Sequence, residues 1–429
     1  MRVEVKSKEF GRIATQNAKN VILRFKKLLC VVLAVMTMSV LFAGCGKNDG
    51  EANDSGSAEF EKIKVAYATN NVDETFVTMK NAYETVVGPT LNIEFMFSEA
   101  LKDTGAMTTF IENAYAAGCQ GVIVDLSSGI DQAAAVCNDL GMWFVGISSA
   151  DAAENMEMEK YVSVVGAGAA GYGASYADAI KSVVNDGKNH SILLMSGAAC
   201  YGATSFIEGT AGSLKALQDV YGLKYTKDIK ELATTKTQID AENDKGIKIT
   251  IFPGMADLAT TVSPILQTGN YDVLVGTSNI YDSLGVAVDE VEKSLKMDIK
   301  FITRSTFSDA ITAAVNGKDS QGSPVIDAIV CPGTFERIGA AIMIRNAYDG
   351  FADKMRADGR CSYVSKNAPL AVASVDAYNA LVKEGNPYAF MTTEDILSLT
   401  NKKNPDVTWK TIDDFGGKLT TQYILEKFK

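Results

Sequence analysis

The feature that most constrains this chain is an alternation. Short apolar runs recur between stretches with helical spacing, from residue 63 to residue 348. Strand-like runs at 63–68, 91–97, 121–126, 142–147 and 161–165 are separated by helical patterns at 73–87, 104–117, 130–140 and 170–184. The pattern then restarts, with strands at 191–195, 248–252, 272–275, 300–303 and 326–330 and helices at 205–217, 258–266, 284–295, 310–315 and 338–348. A run such as Gly121-Val122-Ile123-Val124-Asp125 is apolar on both faces, which suits a strand covered by helices on either side and so a parallel sheet of βαβ units. Ten such strands make one sheet very wide, so two sheets of five or six strands are expected. The predicted fold class is α/β: two lobes, each a parallel sheet flanked by helices.

The first 62 residues do not share this pattern. Arg24, Lys26 and Lys27 precede an apolar run from Leu28 to Phe42, which is the length of a secretory signal core and short for a membrane span. It ends in Leu41-Phe42-Ala43-Gly44-Cys45, small residues before a cysteine, and resembles the lipobox of bacterial lipoproteins, with Phe42 where that motif usually has Leu. The resemblance implies cleavage after residue 44 and lipidation of Cys45. The stretch before Val21 is long for the start of such a signal. Residues 46–59 are rich in Gly, Asn, Asp, Ser and Glu without an apolar period, so residues 45–61 are expected to be a flexible tether.

Charge and the reactive residues narrow the function classes. Residues 1–44 hold eight of the 41 basic and two of the 52 acidic residues, so the remainder carries 33 basic, 50 acidic and a net −17. That balance argues against nucleic acid, which needs a basic footprint. Beyond Cys30 and Cys45, the cysteines Cys119, Cys137, Cys200, Cys331 and Cys361 are widely spaced and odd in number, without a C-x-x-C. No zinc or redox signature follows, and small buried thiols are expected. His190 is the only histidine and no G-x-S-x-G accompanies it, so no catalytic residue and no metal ligand is predicted.

Several local matches resemble the type I periplasmic binding proteins, in their ribose- and galactose-binding branch. They are Phe76-Val77-Thr78-Met79-Lys80 as the start of the first helix, Gly121 to Asp125 as the third strand, Gly166 to Gly171 at a lobe crossing, and Ile338-Gly339, Ala347 and Gly350 after a second crossing. The resemblance covers about residues 62–350. It implies a three-stranded hinge, with 62–166 and 333–368 in lobe one and 167–332 and 369–429 in lobe two. Ser148-Ser149, Gly209, Ser305 and Gly333 stand where sugar-binding relatives carry charged or amide side chains. The architecture is carried over more fully than the monosaccharide grip.

Ligands of open parallel sheets bind outside the carboxyl ends of the strands. The candidate binding residues are therefore Asn70, Asn71, Asp73 and Phe76 after the first strand, Ser127 after the third, and Ser148 and Ser149 after the fourth. In lobe two they are Tyr201, Phe252, Asn279 and Arg304. Amides and a carboxylate beside an aromatic ring suit a polyol, although Asn71 or Asp73 equally suits a helix cap. Arg304 suits a ligand carboxylate by bidentate pairing, or an interlobe ion pair.

Gly166-Ala167-Gly168-Ala169-Ala170-Gly171 reads G-x-G-x-x-G between a strand and a helix, the dinucleotide fingerprint in its local context. No acidic residue ends the following strand, so the alternative is a crossing whose small residues let backbones approach. The expected function is an extracytoplasmic, lipid-anchored solute receptor. It would be monomeric and without a cofactor, taking a sugar-like or carboxylate-bearing small molecule to an ABC importer permease. An α/β enzyme or nucleotide-binding protein using the 166–171 turn, or a sensor-coupled receptor, is the alternative.

Overall fold

The computed structural model describes residues 60–427, except 73, 127, 149–155, 255, 333–334 and 384–389. The expected signal peptide, Cys45 and most of the tether lie outside these residues. Packed structure begins earlier than expected: Phe60 is buried, and its carbonyl accepts a hydrogen bond from Asn92 Nδ2 at 2.7 Å.

In chain order the strands are β1 (Ile63–Thr69), β2 (Ile93–Ala100), β3 (Gly121–Asp125), β4 (Trp143–Ile147) and β5 (Tyr161–Val165), followed by β6 (Ile192–Met195), β7 (Ile239–Asp240), β8 (Ile249–Phe252), β9 (Val273–Gly276), β10 (Lys300–Arg304) and β11 (Ala328–Cys331). Two short strands close the set, β12 (Ser362–Val364) and β13 (Leu370–Val372). They form two sheets, β12-β5-β4-β3-β1-β2 and β13-β11-β10-β9-β6-β8-β7. All pairs in the first are parallel. In the second, only the edge pairs β7–β8 and β11–β13 are antiparallel. The second sheet is thus one strand wider than expected, because the charged 225–246 segment contributes β7 and the chain's return contributes β13.

The continuous apolar runs are buried as their composition requires: β3 is buried up to its last residue and β9 throughout. Each sheet is covered on both faces. The helices Thr104–Ala116 and Ile130–Leu140 cover one face of the first, and Ala169–Val184 and Thr204–Tyr221 one face of the second. The helix Glu74–Ala82 runs through a π-turn, Tyr83–Val87, into Gly88–Leu91. It stops at Asn92, whose φ of 50° is left-handed, and the next strand therefore starts at Ile93 rather than at residue 91.

The chain passes between the sheets three times, after β5, after β11, and between β12 and β13. The first and third passages lie side by side: the Gly166 and Gly168 amides donate to the carbonyls of Val364 and Ser365 at 2.9 and 2.8 Å. The fold is that of the type I periplasmic binding proteins.

The tail corrects one expectation. Val375–Leu381 packs on Asp309–Asn316 of the second sheet's side. Thr393–Ser398 instead packs on the 83–91 segment, and Trp409–Gly416 packs on Phe335–Asn346 and β12, all on the first sheet's side. Asn346 fixes this part by donating from Nδ2 to Leu399 O at 2.9 Å and accepting from the Asn401 amide at 2.8 Å. The described helices of the tail are therefore divided between the two sides.

Cys119, Cys137, Cys331 and Cys361 are buried and Cys200 is partly exposed, all as free thiols. Burial pushes the Cys119 thiol up to about 11 and that of Cys361 to about 12. His190 is buried between Asp272 at 2.9 Å and Asp186 at 3.0 Å, a structural tie before β6. No helix among the described residues is long and apolar enough to cross a membrane.

Candidate functional site

The carboxyl ends of β1 and β3 are adjacent, with Thr69 paired to Asp125. Asn70 and Asn71 follow Thr69, and the next helix brings Phe76 and, one turn on, Met79. Arg337 arrives in the first turn of the Phe335–Asn346 helix, and Thr306 comes from the loop after β10. Together these eight residues line a cavity of about 250 Å³.

An ion pair organises its floor. Arg337 reaches Asp125 Oδ2 through Nη2 at 2.9 Å and Nε at 3.1 Å, and the Tyr67 hydroxyl donates to the same oxygen at 2.7 Å. Among the described residues these donors all meet Oδ2. Arg337 is anchored from behind, because the Tyr83 hydroxyl donates to its carbonyl at 2.7 Å. Burial first, then the neighbouring Asp125 carboxylate, holds the Tyr67 phenol well above its ordinary range, so it stays a donor. The Phe76 ring is set by Tyr67 and Phe97, at centroid distances of 6.3 and 5.9 Å. The Thr69 hydroxyl bridges the Asn71 amide and carbonyl and fixes the loop between them. The result is a partly open recess with a fixed carboxylate oxygen, a guanidinium, two exposed amides and one aromatic wall.

Of the residues expected at the site, Asn70, Asn71 and Phe76 line this cavity. Asp73, Ser127 and Ser149 lie outside the described residues. Ser148 is half-buried at the end of β4, where its amide donates to Val165 O at 3.1 Å. In lobe two the expected residues have other work. Tyr201 is 85% exposed at the end of a 3₁₀ turn. Phe252 packs over Gly254 and into the second lobe's core. Asn279 bonds Asp282 at 2.8 Å and accepts from the Tyr281 amide, holding the start of a helix. Arg304 donates to the Tyr172 hydroxyl at 2.8 Å and lies over the Tyr172 and Phe206 rings, at 4.6 and 5.4 Å. None of these four lines the cavity; Thr306, two residues past Arg304, does.

Asp125 and Arg337 were the residues sequence reasoning passed over. Two signals mark them: an acid closing an otherwise apolar strand, and a cation in a helix's first turn, where the dipole disfavours it unless a carboxylate answers.

The 166–171 turn is filled by protein. A Cβ on Gly168 would lie 2.2 Å from Ser365 O, and one on Gly171 3.0 Å from Ala368, so the hinge strand occupies the space a phosphate needs. Elsewhere among the described residues, Glu292, Asp298 and Asp319 bring carboxylate oxygens within 4.8 Å of one another. Glu292 lies in the last turn of the helix Tyr281–Leu295, and Asp298 and Asp319 lie in the loops that enter β10 and β11, at the opposite end of the sheet from the cavity.

No protein-family model and no curated protein matches the chain. Among solved structures, it is similar to an ABC transporter periplasmic solute binding protein from Actinobacillus succinogenes with bound D-allose, at 15% identity and a TM-score of 0.50, covering 74% of this chain and 99% of that one. A solute binding protein from Bacillus halodurans with bound myo-inositol matches at 14% identity and a TM-score of 0.47, over 76% and 98% of the two chains. A periplasmic ribose ABC transporter protein from Conexibacter woesei matches at 15% and 0.47, over 76% and 97%. At these identities the likeness is one of fold.

Proposed function

We propose that this chain is an extracytoplasmic solute-binding protein that captures a small polyhydroxylated ligand between its lobes and delivers it to an ABC importer permease. The observation that carries the reading is Asp125. Its Oδ2 is held by Tyr67 and Arg337, which fixes the carboxylate at the carboxyl ends of β1 and β3, where it can accept from a ligand hydroxyl. Asn70 and Asn71 add donors and acceptors, and the Phe76 face suits the apolar side of a sugar ring. A ligand carboxylate is disfavoured beside Asp125, so the sugar-like class is preferred over the carboxylate-bearing one. The D-allose held by the Actinobacillus protein of this fold supports the same class. In this reading the chain is not an enzyme, works as a monomer, and is tethered to the membrane through a lipid on Cys45.

Calorimetric titration of refolded protein against pentoses, hexoses and cyclitols tests the reading. At least one should bind, and Asp125→Asn should weaken it tenfold or more, since the carboxylate's charge-assisted bond is lost. Absence of binding across the panel, or full affinity in Asp125→Asn, overturns it. The same titration with NAD tests the nucleotide alternative, for which the filled 166–171 turn leaves no space.

A further inference from the structure

In a two-lobed fold joined only by crossing strands, the lobes are free to rotate about the hinge. Here the tail adds a fourth connection that is not a strand. Its outer helices, Val375–Leu381 and Thr421–Lys427, grip the second sheet's side, and its middle helices, Thr393–Ser398 and Trp409–Gly416, grip the first sheet's side.

Each grip is specific. On the second side, the Tyr378 and Thr312 hydroxyls share a hydrogen bond at 2.8 Å, and the Asn316 and Asn379 amides exchange two, at 3.0 and 2.8 Å. The Phe307 ring packs on Tyr378 and Phe390, both at 5.4 Å, and Thr421 Oγ1 donates to Ala371 O of β13 at 2.9 Å. On the first side, Asp413 Oδ1 accepts from the Ser365 and Lys366 amides at 2.7 and 2.8 Å, beside β12. Lys427 and Asp395 form an ion pair that ties the two sets of helices to each other. One continuous apolar core runs through Tyr67 and Ile123 of the first sheet, Ile329 and Val372 of the second, and Phe390, Ile396, Ile412 and Ile424 of the tail.

We propose that the helices Val375–Leu381, Thr393–Ser398, Trp409–Gly416 and Thr421–Lys427 form a clasp across the interlobe boundary, holding the two sheets in one relative orientation until its grip on Asp309–Asn316 is released. Rotation about the hinge carries the outer and middle helices in different directions, so the tail must let go at one side. The reciprocal amide pair Asn316–Asn379 is exposed and polar and lies at the edge of that grip, so substitutions there loosen it without altering the buried Phe307–Tyr378 contact.

Spin labels at Glu112→Cys and Lys215→Cys, one exposed helical position on each lobe, read the interlobe distance by pulsed electron resonance in a Cys200→Ser background. The intact clasp gives one narrow distribution without added ligand. Asn316→Asp with Asn379→Asp replaces the amide pair by two like charges and adds a longer component at low salt. That component shrinks in 1 M salt, where the Debye length is about 3 Å. The single variant Asn379→Asp, which lacks the repulsion, stays narrow. A broad or two-component distribution in the unmodified pair overturns the clasp. So does a double variant, folded by circular dichroism, whose distribution matches the unmodified one at every salt concentration. If the double variant does not fold, Asn316→Ala with Asn379→Ala takes its place, removing both hydrogen bonds without charge, and the same two outcomes decide.

Discussion

Replacing Gly168 by Ala tests the account of the hinge most directly. The residue sits at φ −58° and ψ 137°, a conformation any residue adopts, so alanine there brings no backbone strain. What it brings is one methyl group, whose carbon would stand 2.2 Å from Ser365 O in the neighbouring passage. The closest usual approach of carbon to a carbonyl oxygen is about 3.3 Å, so the two backbones must separate by roughly 1 Å. The atom met is main chain, which has no rotamer to yield, and the separation also stretches the Gly168 amide bond to that same oxygen at 2.8 Å. Overpacking costs about 1–3 kcal/mol, and adding a weakened buried hydrogen bond of about 1 kcal/mol puts Gly168→Ala near 3 kcal/mol. Urea titration followed by tryptophan fluorescence and circular dichroism reads the loss. Gly141→Ala is the control, because its φ of 75° brings conformational strain while nothing stands within 4 Å, and about 1–2 kcal/mol is expected there. A loss under 0.5 kcal/mol in Gly168→Ala would refute the reasoning, since the crossing would then be loose enough to admit a ligand's phosphate.

Three further expectations follow from the structure. Burial raises the Glu292 carboxyl from 4.5 to about 7, so the folded state holds a proton that the unfolded chain has released. Its stability then falls as pH rises from about 4.5 to 7, and Glu292→Gln should gain about 1–3 kcal/mol over the unmodified protein at pH 8 and nothing at pH 4 in chemical denaturation. Arg304→Lys should lose about 1 kcal/mol of stability through its bond to Tyr172 and its ring contacts while leaving sugar affinity unchanged; a tenfold weaker affinity would put Arg304 in the binding site. Cys45→Ala should abolish incorporation of labelled palmitate during expression, and persistent labelling would remove the lipid anchor from the proposed function.

How much of this was legible in the sequence depends on range. Strands such as β3 and β9 announce themselves, because a strand covered on both faces is apolar at every position. The edge strands β7 and β13 are two and three residues long, too short to carry a period, and exist only because a neighbouring edge offers them hydrogen bonds. Trp409–Gly416 has a capping arrangement at Thr408 and Thr411, but which lobe it covers is decided by Phe335 and Lys366, far away in the chain. The site divides in the same way. Asn70, Asn71 and Phe76 follow from the end of one strand, since strand ends point at the cavity. Arg337 does not, because it meets Asp125 across 212 residues and arrives from a helix whose place is set by the second crossing. Arg304 attracted attention as a cation after a strand, yet its side chain turned to the aromatic face that Tyr172 and Phe206 provide.

The cysteines carry a consequence for how such a chain survives in an oxidising medium. Only thiolates attack disulfides or peroxides, and a thiol at about 11 is ionised in about one molecule in ten thousand at pH 7. Four of the five thiols among the described residues are besides enclosed in packed core, so oxidants reach them only when the fold opens. Among the described residues no disulfide forms, and Cys200 is the one thiol of these five that is not buried, so mispairing among them would begin there. A Cys200→Ser protein should stay free of covalent dimers on prolonged exposure to air, and loss of that resistance during heating would report unfolding itself, with the buried sulfurs acting as built-in sensors of an opened core.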